Sequence, residues 1–238
     1  MLFRSPYEAW TSRDATHDEM MASMKAGRFS LLVDDQLIAR IANEYQAAEY
    51  MAACVVDNGL EFHIDRALAE DSGYQQWLGA MPDALPAALE AYQHEYPLDD
   101  YGQVDRAIHD HGASLSPGQM LFHGGHISFP PDGRLVTARP FSSTFCPQVA
   151  LREAEWRGKA YDAGLVCLYL LRVCSPDSKV YVFDRAAADK GNEKEVLFAS
   201  GATLILRSAS ILRTDYKVQD RKSTRLNSSH ITISYAVF

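Results

Sequence analysis

Only four of the 238 residues are cysteine, Cys54, Cys146, Cys167 and Cys174, and no two are spaced as CxxC. That spacing gives no zinc ribbon and no thioredoxin-like redox pair, and leaves the four as buried or half-buried thiols of a reduced protein. Long apolar runs are missing too: the densest, Leu165–Leu171, is strand-sized and far short of the roughly 18 residues of a membrane span. GxGxxG and GxxxxGK(S/T) are absent, so Rossmann and P-loop nucleotide sites lose their usual support. His123-Gly124-Gly125 has the look of a hydrolase oxyanion loop, but no GxSxG elbow accompanies it. Basic residues are outnumbered, 23 against 31 acidic, for a net charge of −8. Such a balance disfavours nucleic-acid backbones and anionic membranes as default partners, while leaving a local basic cleft open.

The two ends do not read as protein-coding sequence. Asp220–Phe238 corresponds to a translated sequencing-library adapter, and Met1–Ser5 to the opposite adapter. Residues 1–5 and 220–238 are therefore not expected to belong to the natural fold, as an expression scar would not. The remaining Pro6–Gln219, with 19 basic and 30 acidic residues and a net charge of −11, is expected to be an internal piece of a longer reading frame. Tyr216–Gln219 reads as the opening of a final strand that the adapter cuts off. Compartment and oligomeric state stay open.

The hydropathy pattern divides this piece into a helical region over 6–97 and a strand-rich region over 98–219. Asp14 to Tyr96 reads as helical, with one helix running from Gln36 through Ile41 to about Val56 and another over Ala87–His94. Asp99–His111 suggests a short helix closed by Gly112. Strand-like pieces follow at Gln119–His123, Leu135–Arg139, Leu165–Val173, Val180–Phe183, Glu195–Phe198 and Thr203–Arg207, with one helix over Val149–Tyr161. Ser175-Pro176-Asp177 is among the turn signals between them. Helices first and short strands after read as α+β. Trp156 is expected to cap the core, and Arg152, Glu153, Glu155 and Arg157 to form a solvated helix face.

The most informative stretch is Glu193-Lys194-Glu195-Val196-Leu197-Phe198. In an extended strand Glu193 and Glu195 lean to one side and Lys194 to the other. Two carboxylates facing one space repel unless a cation or a developing positive charge lies between them. Cleavage of a glycosidic bond through an oxocarbenium-like transition state supplies such a charge. A pair of solvated glutamates at the start of a strand is the plainer alternative.

Two earlier strand motifs shift that balance: Leu121-Phe122-His123-Gly124-Gly125, and Arg139-Pro140-Phe141-Ser142-Ser143-Thr144-Phe145 followed by a helix. With the Glu-x-Glu segment third in order, the set resembles the mono-ADP-ribosyltransferases over roughly Asp99–Gln219. The resemblance implies a split β-sandwich holding NAD as substrate between two small sheets, and a protein acceptor, arginine favoured. It implies Glu195 as the catalytic carboxylate on the nicotinamide ribose and Glu193 as the acceptor-side carboxylate. Ser143 with Thr144 would support Glu195 and shape the nicotinamide pocket. His123 would hold ribose hydroxyls, with Gly124 and Ser142 beside the dinucleotide and Phe141 or Phe145 stacked on a flat ring. Arg139 is either a phosphate contact or an exposed strand-end arginine. This chain departs from the arginine-modifying pattern in two places. His123 stands where arginine is usual, and Phe145 takes the third place of the Ser-Thr-Ser strand. Both departures keep a non-catalytic NAD- or partner-binding module of the same fold as the alternative.

His109 and His111 fall two apart on a helix and do not share a face. With His123 and His126 they would make a metal hydrolase, ranked behind the other readings, and no metal is expected.

Overall fold

The computed structural model describes residues 7–25, 31–54, 60–156, 159–175, 179–184, 193–219 and 226–238. Residues 1–5, the Pro176-Asp177 turn, Arg157 and Val56 therefore lie outside the described residues.

The first part of the chain is not purely helical. Strands β1 (Tyr7–Asp14) and β2 (Leu32–Ile41) form an antiparallel pair of their own, with Tyr7 opposite Ile41 and Ala9 opposite Ala39. Helix α1 (His17–Lys25) lies between them in sequence and buries no residue. The helix expected from Gln36 onward is replaced up to Ile41 by strand. Leu37, Ala39 and Ile41 fit an alternating pattern as well as a helical one, and pairing with β1 selects the alternation. Asn43 then starts α2 (Glu44–Ala53), its side chain accepting from the Gln46 N–H at 2.9 Å. Helix α3 (Leu60–Glu70) buries Leu60, Ile64 and Leu68, one face at four-residue spacing. Asp71 caps α4 (Ser72–Gly79) through the Tyr74 N–H. Helices α5 (Ala87–Glu95) and α6 (Gly102–His111) follow where the sequence pattern places them.

The strand-rich part contains β3 (Ala113–Ser114), β4 (Met120–Gly124), β5 (Arg134–Val136) and β6 (Phe141–Thr144), then helices α7 (Pro147–Glu155) and α8 (Lys159–Ala163). Strands β7 (Leu165–Arg172), β8 (Lys179–Val182), β9 (Glu195–Phe198), β10 (Thr203–Gln219) and β11 (Leu226–Val237) complete it. Their order is β3-β8-β9-β6-β4-β7-β11-β10-β5. Strands β4 and β6 meet at a single register pair among the described residues, Phe122 opposite Thr144. The sheet is thereby divided into two half-sheets, β3-β8-β9-β6 and β4-β7-β11-β10-β5, joined at one narrow seam. This is the α+β, split-sheet architecture expected from the sequence. Strand β7 is buried along most of its length, as its unbroken apolar run requires of a central strand. The outermost strands are the two-residue β3 and the three-residue β5, and β5 covers only Thr203–Ile205 of the long β10.

Strand β11 lies inside the region read as adapter translation. It pairs parallel with β7 and antiparallel with β10, burying Ile231, Ile233 and Ala236. A strand slot asks only for backbone pairing and apolar side chains at suitable spacing, and His230–Val237 supplies both. Tyr216–Gln219 close β10 rather than opening a new strand.

The single helix expected over Val149–Tyr161 is two, α7 and α8. Trp156, expected on the core, is 55% exposed at the end of α7. Nor are the charges of α7 simply solvated: Arg152 pairs with Glu61, and Glu155 accepts from the Tyr216 hydroxyl at 2.6 Å. Among the described residues no helix is long and apolar enough to cross a membrane.

Candidate active site

A cavity of about 770 Å³ lies at the seam, lined by β4, β6, the residues leading into β9, and α5. The segment that delivers the two glutamates is not the extended strand assumed from sequence. Glu193 precedes the strand, Lys194 has φ +52°, and β9 begins only at Glu195. A left-handed backbone at lysine costs roughly 1–2 kcal/mol, so the surroundings must hold it there. They do so by burying the lysine. Its Nζ lies 2.9 Å from Asp65 and 3.2 Å from Glu61, both on α3, and its side chain is only 4% exposed. Lys194 thus leaves for α3 while Glu193 and Glu195 both line the cavity, Glu195 nearly fully buried. The separation of faces expected from sequence is present, produced by a backbone turn instead of a pleat.

Strand β6 fixes this segment from the other side. Thr144 stands opposite Glu195 in the ladder. Its hydroxyl donates to the Glu193 carbonyl at 2.7 Å and accepts from the Cys146 N–H at 3.1 Å. The Ser143 hydroxyl donates to the Val196 carbonyl at 3.0 Å. Both hydroxyls therefore act on the backbone flanking Glu195, which refines the support that the resemblance implied.

His123, on β4, lines the same cavity. Its Nδ1 is 2.8 Å from the Ser142 carbonyl. A carbonyl only accepts, so Nδ1 carries the proton and the neutral ring has its acceptor at Nε2. The ring packs on Phe141 with 4.5 Å between centroids. Between the two aromatic candidates, Phe141 lines the cavity and Phe145 does not. Phe145 is buried in the core, stacked on Trp77 at 5.9 Å and edge-on to Tyr74 at 5.5 Å. The assignment of Phe145 to the dinucleotide is corrected accordingly: β6 ends at Thr144, so Phe145 no longer follows the strand's alternation. Gly124 also lines the cavity and has a packing reason to be glycine. A Cβ there would sit 1.6 Å from the Ala150 carbonyl oxygen, because α7 crosses directly over β4.

Helix α5 brings residues that the sequence did not single out. Burial first, and then the nearby Glu195 charge, push the Tyr92 phenol well up, so it stays a neutral hydroxyl. Gln93 and Thr137 also line the cavity. Gln93 sits four residues after Leu89, on the buried side of α5, and a carboxamide on a core-facing position was the available signal. Arg139 is exposed at the cavity wall, with its guanidinium 5.5 Å from the centre of the Tyr96 ring; it lies in the bend between β5 and β6 and not at the end of a strand.

His126 also lines the cavity, engaged by Ser128 at 3.1 Å and approached by the Cys167 sulfur at 3.9 Å. Among the described residues no three His, Cys, Asp or Glu side chains gather as a metal site.

No protein-family model matches the chain, and no curated protein matches it significantly. Among solved structures it is similar to bacterial ADP-ribosyltransferase toxins over most of its length. Plx2a, an ADP-ribosyltransferase toxin from Paenibacillus larvae, is 10% identical, with 74% of this chain and 95% of that one covered and a TM-score of 0.46. The enzymatic component C2-I of the Clostridium botulinum C2-toxin is 10% identical, with 69% of this chain covered and a TM-score of 0.42. The chain spans 45% of the C2-I chain, less than half. Exoenzyme S from Pseudomonas aeruginosa, solved with human 14-3-3 protein beta and Carba-NAD, is 14% identical, with 72% of this chain and 88% of that one covered and a TM-score of 0.38.

Proposed function

We propose that this chain is an NAD-dependent mono-ADP-ribosyltransferase that transfers ADP-ribose to a protein side chain, arginine first. The observation that carries this reading is the meeting of Glu193 and Glu195 in one cavity with His123, Ser143 and Phe141. In the reaction the bond from ribose C1′ to nicotinamide nitrogen breaks. Its electron pair passes to the pyridinium ring, so nicotinamide departs neutral and the ribose takes on positive charge. Glu195 is the buried anion beside that charge, where a fixed carboxylate stabilises the transition state more than it would in water. Glu193 positions the acceptor guanidinium and takes up its proton as nitrogen bonds to C1′. A guanidinium is too weak an acid to lose the proton first. His123 offers Nε2 to ribose hydroxyls, and Phe141 gives a flat ring a stacking surface.

The test is nicotinamide release from NAD by the full chain and by its Glu195→Gln variant. Release should fall by a hundredfold or more, on the order of losing an electrostatic transition-state contact. An unchanged rate would sink the assignment. Saturable NAD binding with no release by a folded wild type would make the chain a binding module of the same fold.

A further inference from the structure

Two polar side chains in the cavity wall have no partner among the described residues. Gln93 is 5% exposed, and neither its Oε1 nor its Nε2 makes a hydrogen bond. Thr137, 9% exposed, follows β5. Its N–H donates to the Ala202 carbonyl at 2.9 Å and its carbonyl accepts from the Gly201 N–H at 2.8 Å, while its hydroxyl has no partner. Buried amides and hydroxyls are nearly always satisfied, because burying one alone forfeits its hydrogen bonds to water. Among the described residues three side chains break this rule: Ser200, whose hydroxyl sits in the turn after β9, and Gln93 and Thr137, which border the cavity that holds Glu195.

We infer that Gln93 and Thr137 read a planar ligand group carrying a hydrogen-bond donor and acceptor side by side. The Gln93 carboxamide offers one acceptor and two donors in a plane, the complement of another amide edge. Two parts of a nicotinamide dinucleotide have that edge: the nicotinamide carboxamide, and the N6/N7 edge of adenine, which Gln pairs with in a bidentate manner. This inference rests on the dinucleotide reading above and adds to it the residues that select the ligand. The position of Gln93 on α5 supports it. Leu89, Tyr92 and Gln93 are the buried residues of that helix, and a carboxamide there gains nothing from the fold itself.

The experiment uses Gln93→Met, which keeps the length of the side chain and removes its polar atoms, and Thr137→Val, which swaps a hydroxyl for a methyl. Binding of NAD is measured by calorimetry on the full chain, beside deamido-NAD and nicotinamide hypoxanthine dinucleotide. Wild type should prefer NAD over one of the two analogues. Gln93→Met should weaken NAD binding roughly tenfold to a hundredfold and erase that preference. Loss of discrimination against deamido-NAD assigns the contact to nicotinamide, and loss against the hypoxanthine analogue assigns it to adenine. The melting temperature of both variants should hold or rise, since an unsatisfied buried group has been removed. A Gln93→Met protein that binds NAD as tightly as wild type overturns the inference alone. A variant that fails to fold also overturns it, because the amide would then be serving the fold. Wild type that binds no dinucleotide overturns both this inference and the reading it rests on.

Discussion

On the β6 side of the cavity Ser143 and Thr144 spend their hydroxyls on backbone carbonyls at Glu193 and Val196, whereas Gln93 on α5 and Thr137 after β5 have polar atoms with no partner. Both sets are buried and both border the same space. The first set fixes where Glu193 and Glu195 stand. The side-chain polar atoms of the second make no hydrogen bond within the fold among the described residues. Polar burial alone does not mark a functional residue; an unpartnered buried group at a cavity wall is what sets Gln93 and Thr137 apart from Ser143 and Thr144.

The largest effect expected on the scaffold side comes from Lys194. Lys194→Met would remove the ammonium that pairs with Asp65 and Glu61 in a site where neither is more than 17% exposed. Removing one partner of a buried pair costs about 3–5 kcal/mol, so denaturant unfolding should show a loss of that size. Nicotinamide release should fall further than stability alone explains, because the left-handed turn that sends Glu193 and Glu195 into the cavity is anchored by this lysine. A loss under about 1 kcal/mol, the range of a surface pair, would show that α3 does not hold the segment.

A direct contrast comes next, with one substitution on each wall. Thr144→Val leaves the Cys146 N–H and the Glu193 carbonyl without their hydroxyl partner, at about 1–3 kcal/mol. Thr137→Val breaks no bond and should stay within about 0.5 kcal/mol of wild type. Equal losses in thermal or denaturant unfolding would erase the distinction between the walls.

Much of the seam was legible in the sequence. Strands β4, β7 and β9 carry compact apolar runs bounded by glycine or charge, and Glu193, Glu195, His123, Ser143 and Phe141 all come to one cavity. What was not legible has particular causes. Leu37 to Ile41 satisfies both periodicities, and only the presence of β1 decides for strand. The turn at Lys194 is set by ion pairs with residues about 130 positions away, which no local pattern spells out. Phe145 shares strand parity with Phe141, and its move into the core follows from β6 stopping one residue earlier. The sequence shows that Gln93 lies on the buried side of α5, but whether its amide finds a partner depends on the three-dimensional surroundings.

The smallest expected effect carries the contrast to a carboxylate outside the cavity. Glu155 ends α7 and accepts a hydrogen bond from Tyr216 at 2.6 Å. Burial raises its pKa above the ordinary 4.5, although the tyrosine bond pulls the other way. The folded state therefore holds this proton more tightly than the unfolded state does. Well below pH 4.5 the carboxyl is protonated in both states and costs nothing. As pH rises from there through the raised folded value, the unfolded chain releases the proton first, and stability declines. Glu155→Gln, which keeps a hydrogen-bond acceptor for Tyr216 and cannot ionise, should remove that part of the decline in a series of unfolding curves across this window. Its slope should be flatter than that of wild type by a fraction of one proton, with nicotinamide release unaffected by the exchange. A slope identical to wild type would mean that the Tyr216 hydrogen bond, which favours the ionised carboxylate, cancels the burial.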